Sequence, residues 1–209
     1  AKDAVTFNYT WQANLNTSFT GKDLLYTRIK TGNFKSSNMK NSSGVYVNHA
    51  NSNENELKID KLWYQFPVGD NLKVWIGPLI ENYYMLASAP SIYKPILKDL
   101  KLGGNGAVYG ASTGQGFGVA WTQSVEDRTQ PRFAISTNYT ASSKTGSNAD
   151  PEAGGILTDG AKGMFLTKVE YGSPRWQVSA AYSHKTDDPN ASAGFGSTAG
   201  KSRSGSTDG

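Results

Sequence analysis

The sequence predicts an all-β fold, an antiparallel transmembrane β-barrel of which about eight strands are present. Three observations predict it. The first is the stretch 5–19, where Val5, Phe7, Tyr9, Trp11, Ala13, Leu15, Thr17 and Phe19 alternate with Thr6, Asn8, Thr10, Gln12, Asn14, Asn16 and Ser18. A period of two over some 15 residues is a strand of about 50 Å, enough to cross a bilayer with tilt and project beyond it. The second is an alternation of short and long connections, set out below. The third is composition. Only 37% of the 209 residues are hydrophobic and mean hydropathy is −0.52, with no apolar run of transmembrane-helix length. That excludes membrane-spanning helices but not spanning strands, half of whose residues are polar.

A competing expectation is a soluble sandwich or barrel, apolar side inward and polar side to water. The rest of the chain decides between them. After the first strand comes a polar turn, 20–23. Residues 24–34 then run back with Leu25, Thr27 and Ile29 on one face and Tyr26, Arg28 and Lys30 on the other. The Asn/Ser-rich segment 35–56 reads as a long loop. The next strand, 57–68, sets Leu62, Tyr64 and Phe66 against Lys61, Trp63 and Gln65, with a bulge expected near Asp60 where the alternation breaks. A turn at 69–71 leads into Leu72, Val74 and Ile76, alternating with Lys73 and Trp75, and Pro78 is expected to end that ladder.

From 79 to 113 the period fails, and this segment reads as a long ordered loop. Strands resume at 115–123, with Phe117, Val119 and Trp121 opposite small residues. Across the connection 124–131, Phe133, Ile135, Thr137 and Tyr139 alternate with Arg132, Ala134, Ser136 and Asn138. The Gly/Ser/Asp-rich stretch 142–163 is a third long loop. Phe165, Thr167, Val169 and Tyr171 follow, against Lys168 and Glu170. The turn 172–175 then enters a strand carrying Trp176, Val178, Ala180 and Tyr182. Residues 1–184 are thus strands and loops, and 185–209 a Gly/Ser-rich loop or tail.

The short turns (20–23, 69–71, 124–131, 172–175) all fall at one end of the strands. The long loops (35–56, 79–113, 142–163) fall at the other, as in outer-membrane barrels. Aromatic residues gather near strand ends: Phe19, Phe66, Tyr139, Tyr171, Trp176 and Tyr182. With 23 Gly, 11 Tyr, 8 Phe, 5 Trp and no Cys, a disulfide framework and thiol chemistry are out. The net charge of +4, without a basic run, gives no reason to expect nucleic acid. The chain opens Ala1-Lys2-Asp3 with no leader, so an exported protein would be a processed or partial chain.

Residues 17–28, Thr-Ser-Phe-Thr-Gly-Lys-Asp-Leu-Leu-Tyr-Thr-Arg, resemble the first hairpin of cyanobacterial outer-membrane porins of the carbohydrate-selective (OprB-like) superfamily. Residues 62–70, Leu-Trp-Tyr-Gln-Phe-Pro-Val-Gly-Asp, with 73–77, Lys-Val-Trp-Ile-Gly, resemble that family's second hairpin. The resemblance extends, more loosely, through Tyr182. It implies a barrel of about sixteen strands, of which this chain would be half. It also implies homotrimers in the outer membrane, passive diffusion of small solutes, and an N-terminal domain that binds peptidoglycan or another wall polymer. That domain is not in this sequence.

Nothing points to an enzyme or a cofactor. His49 and His184 have no acid–base partner nearby in sequence. Residues 114–118, Gly-Gln-Gly-Phe-Gly, echo a dinucleotide loop but lead into a strand where a helix is needed. Asp150, Glu152 and Asp159 match no calcium-loop spacing, and a solvated acidic loop is the better reading, so no metal is expected. Arg28, Lys30, Lys61 and Lys73 share the polar side of neighbouring strands with Trp63, Gln65 and Trp75. In a soluble sandwich they would be an ordinary solvated face. In a barrel they line the pore, and apart from Asp60 no carboxylate joins them, so a mild preference for anions is expected. The segment 79–113 resembles the inward-folded loop of general porins, making Glu81, Lys94, Lys98, Asp99 and Lys101 candidate constriction charges. The expected function is an outer-membrane porin passing small hydrophilic solutes, chiefly inorganic ions. The alternatives are a sugar-selective porin, with Trp63 and Trp75 as stacking surfaces, and a soluble or surface β-sandwich binding module.

Overall fold

Alternating side chains that cannot share a helical face extend the chain into strands, and short polar turns return each strand beside the last. The computed structural model describes residues 5–34, 51–88, 108, 113–127, 129–142, 145–158, 160 and 162–185. Eight strands form one antiparallel sheet in sequence order: β1 (Thr10–Thr17), β2 (Leu24–Gly32), β3 (Lys58–Val68), β4 (Leu72–Glu81), β5 (Thr113–Thr122), β6 (Arg132–Ala141), β7 (Gly163–Ser173) and β8 (Trp176–Lys185). β1 and β8 are its open edges. A 3-10 turn, Asn82–Tyr84, follows β4 directly. Short connections lie at one end of the strands and long ones at the other, as expected.

Several boundaries differ from the expectation: β2 stops at Gly32, β5 starts at Thr113 and β7 at Gly163, and β1, β4 and β8 differ as well. Only Thr10–Thr17 of the first alternating stretch is strand, about 26 Å rather than 50 Å at roughly 3.3 Å per residue. The ladder to β2 closes at Thr10 opposite Gly32, and before it only Tyr9 is tied across to other segments among the described residues, to Asn33 through the backbone and to Asn55 through its hydroxyl. Pro78 does not end β4, which continues to Glu81. Its register on β5 passes from Gly77 opposite Gly116 to Ile80 opposite Gly114, so a bulge absorbs the residue that has no N–H to donate. β8 runs to Lys185, one residue past the expected boundary.

The bulge expected near Asp60 is present. Arg28 faces Lys61 while the next residue, Ile29, faces Ile59, leaving Asp60 as the extra residue of β3. Asp60 is thereby placed to pair with two cations of β2, Arg28 and Lys30, and with its own neighbour Lys61.

The faces of the sheet are inverted relative to a water-soluble protein. On the polar face, Lys61, Ser136, Asn138, Thr140, Lys168 and Glu170 are buried together with Trp63, Trp75, Met164 and Leu166. On the other face Leu15, Ile76, Phe133, Ile135, Val178 and Tyr182 are exposed. Neighbours make the contrast plain: Lys168 is 0% exposed and Val169 48%. Of Phe7, Trp11, Leu15, Ile29, Phe133, Val169 and Val178, the residues expected on an outward apolar side, all are exposed except Ile29, which is half-buried, and no second sheet covers them among the described residues. The apolar face is banded. Phe117, Tyr139 and Phe165 pack ring against ring at a tilt across β5, β6 and β7 at the long-loop end, with centroids 5.8 and 4.8 Å apart and the central Tyr139 itself buried. At the turn end Phe133, Tyr171 and Trp176 also pack together at 4.5 and 5.7 Å. Between the bands lie Ile135, Val169 and the pair Thr137 and Thr167, whose hydroxyls bond each other at 3.1 Å.

Candidate functional site

The candidate site is the polar face and the chain segment that crosses it. After Glu81 the backbone turns through Asn82–Tyr84, and residues 85–88 lie over β5, β6 and β7. Room for it comes from β5. A Cβ on Gly118 would stand 2.6 Å from the Asn138 Cβ and 3.0 Å from that of Met85, and one on Gly116 would stand 2.7 Å from Ile80. The alternating glycines of 114–118 thus form a trough for Met85 and Ile80, both fully buried. Met85 and Ile80 join Trp63, Trp75 and Ala120 in one apolar cluster; Leu86, Met164 and Leu166 make a second.

Polar contacts fix the same segment. Asn138 Nδ2 donates to the carbonyls of Asn82 (3.0 Å) and Met85 (3.4 Å). The Ala87 N–H donates to Ser136 Oγ at 2.8 Å. At its far end, Lys168 Nζ donates to the carbonyl (3.3 Å) and hydroxyl (3.0 Å) of Ser88 and pairs with Glu170. Glu170 Oε2 also accepts from Ser88 Oγ at 2.7 Å and from Gln177 Nε2 at 2.9 Å. A buried lysine and glutamate on one strand are stable only with such pairing, because each alone would be an uncompensated charge.

At the other side of the segment stands a second charge cluster. Asp60 Oδ2 pairs with Arg28, with Lys61 at 3.6 Å and with Lys30 at 4.0 Å. Lys61 Nζ also pairs with Glu81 Oε1 at 2.8 Å and donates to Thr113 Oγ1, which in turn donates to Glu81 Oε1 at 3.1 Å. Arg28 Nη1 reaches the Tyr84 hydroxyl at 3.3 Å. Tyr26 stacks on Trp63 at 4.9 Å, and Tyr84 lies 5.9 Å from Trp63.

The predicted pore-lining residues are therefore brought together only in part. Arg28, Lys30, Lys61, Trp63 and Glu81 share one region with Asp60. Gln65 and Trp75 are cross-strand partners nearer the turns. Lys73 does not converge with the other cations. It faces Pro67 on β3, and the six residue steps from Lys61 to Pro67 put it about 20 Å away at roughly 3.4 Å per residue. Trp63 and Trp75 are packed beneath the crossing segment rather than presented to a ligand. Lys94, Lys98, Asp99 and Lys101 lie outside the described residues. The sequence reading missed the Lys168–Glu170–Ser88 group and the Gly116–Gly118 trough. Their signal was present as two opposite charges and alternating glycines on the polar face of strands.

No known protein family matches the chain by its sequence profile. It is similar, at 29% identity over 160 residues, to the uncharacterized protein sll0772 of Synechocystis sp. (strain ATCC 27184 / PCC 6803 / Kazusa). The alignment covers 74% of this chain and 27% of that protein, so the chain spans about a quarter of the length of that relative. No solved structure matches.

Proposed function

We propose that the chain is part of an outer-membrane β-barrel of the carbohydrate-selective (OprB-like) porin kind, through which small hydrophilic solutes, chiefly inorganic ions, diffuse passively. The observation that carries this reading is the inverted sheet. Eight strands about 4.8 Å apart and about ten residues long offer roughly 1,200 Å² of apolar face, against the few hundred Å² typical of a soluble monomer. Lipid is the environment in which such a face is stable, with charge collected on the opposite side. The aromatic bands add depth. Phe133 to Tyr139 and Phe165 to Tyr171 are each six residues apart, about 20 Å at roughly 3.3 Å per residue, close to the ~25 Å apolar belt of barrel strands.

In lipid, open strand edges would strand their backbone N–H and C=O groups, so β1 and β8 must each pair with a further strand in a closed barrel. The polar face then lines the lumen, and residues 82–88 lie across it as a constriction. The resemblance noted above adds trimeric assembly and attachment to the wall polymer through another domain. The sugar-selective alternative loses its stacking surfaces, since Trp63 and Trp75 are covered. The test is detergent-extracted full-length protein in planar bilayers under a KCl gradient. Discrete conductance steps are expected; protein that stays in the aqueous phase without detergent and gives no steps overturns the reading.

A further inference from the structure

Three cations crowd one region of the polar face. Arg28 and Lys30 come from β2 and Lys61 from β3, and as a regular ladder they would form an unopposed positive wall. The β3 bulge changes this. By inserting Asp60 between Ile59 and Lys61, it delivers a carboxylate into the midst of all three: paired with Arg28, 3.6 Å from Lys61 and 4.0 Å from Lys30. A second carboxylate, Glu81, takes Lys61 at 2.8 Å. Three cations against two carboxylates leave one positive charge among the described residues. The geometry assigns it to Lys30, whose single ion pair is also the longest of the group. The Lys30 side chain is 20% exposed and that of Asp60 30%, whereas Lys61, at 3%, is sealed beneath the segment.

We propose that Asp60 is a specificity-determining residue, a counter-charge placed by the bulge that holds the pore close to non-selective, with Lys30 supplying the small remaining preference for anions. This rests on the reading of the polar face as a pore wall. Arg28 and Lys61 are structural cations, consumed in fixing Asp60, Glu81 and the base of the crossing segment. Asp60 and Lys30 are the partners a passing ion meets. A unit charge acting at about 7 Å through water gives a potential near RT, halved by screening at about 0.1 M salt. Because that potential raises one ion and lowers the other, removing Asp60's charge shifts their ratio by about threefold.

The experiment measures reversal potentials of the full-length protein in planar bilayers across a KCl gradient near 0.1 M. Wild type is expected close to zero on the anion side. D60N is expected to raise the chloride-over-potassium permeability ratio about threefold, and to lose most of that increase near 1 M KCl, where the screening length is about 3 Å. K30Q leaves the Arg28–Asp60 and Lys61–Glu81 pairs in place and is expected to remove the anion preference, bringing the ratio to about one, which keeps the proposal testable if D60N assembles poorly. Channels of unchanged conductance whose reversal potential ignores both changes would overturn the role of Asp60 while leaving the porin reading intact. A wild-type protein with no conductance overturns both.

Discussion

The carboxylate of Asp23 accepts hydrogen bonds from the N–H groups of Phe19 and Thr20, from the hydroxyls of Ser18 and Thr20, and from Tyr64 across the hairpin at 2.6 Å. Led by the Thr20 and Tyr64 hydroxyls, these donors hold its carboxyl well below the usual carboxylate range. A group whose folded pKa is depressed stabilises the fold above its unfolded value, near 3.9, and loses that contribution as pH falls toward the folded value. D23N is therefore expected to melt below wild type in detergent at pH 5–9, with the gap narrowing below about pH 4. A gap that is flat across pH 3–9 would show that hydrogen-bond shape, not charge, matters in this turn. Single residues were unevenly legible. A turn at 20–23 could be read from Thr-Gly-Lys-Asp, but the Tyr64 contact joins residues 41 apart and no local pattern announces it. Asp60 was legible because a bulge interrupts an alternation that the sequence displays openly. Its three cationic partners were visible too, but not the distances that turn a positive wall into a nearly balanced one.

At the scale of elements, a period of two identified all eight strands, because each sends apolar and polar side chains alternately to opposite faces of one sheet. Pro78 misled the reading for a physical reason. Loss of one N–H ends a regular ladder, but a bulge lets the strand resume. The crossing segment was legible only as a long stretch without period. What positions it is distant in sequence: Ser88 meets Glu170 across 82 residues, and Asn82 meets Asn138 across 56. The Lys168–Glu170 pair can be tested as its anchor. K168M removes the donor to Ser88 and leaves Glu170 buried without its cation, an arrangement that costs about 3–5 kcal/mol. Faster hydrogen exchange at the Ala87 amide, which bonds Ser136, is the expected readout. K168M/E170Q, which removes the orphaned charge, is expected to recover part of the protection. If Ala87 is as protected in K168M as in wild type, the two apolar clusters alone hold the segment.

For the whole molecule, the all-β class and the order of eight antiparallel strands followed from alternation and connection length, whereas what meets the open edges of β1 and β8 did not, because an alternating strand carries no local mark of its edge partner. The facing itself can be measured as a depth profile. Val169 lies between Ile135 on β6 and Ala180 on β8, inside the two aromatic bands, two residues from Tyr171 and four from Phe165, and Phe133 lies within the turn-end band. In lipid, an arginine at the midplane costs about 2–4 kcal/mol, falling to about 0–1 near the interface. In water, the same substitutions at exposed positions would stay within roughly 0.5 kcal/mol. V169R is thus expected to destabilise folding into vesicles, followed by urea titration, by several times as much as F133R. Lys168, the immediate neighbour of Val169, is already a cation, so the cost belongs to the face and not to the strand. Equal, small effects at both positions would mean that the apolar face meets water. Large effects at both would mean that it packs against protein along its whole height, and either result removes the bilayer from the account.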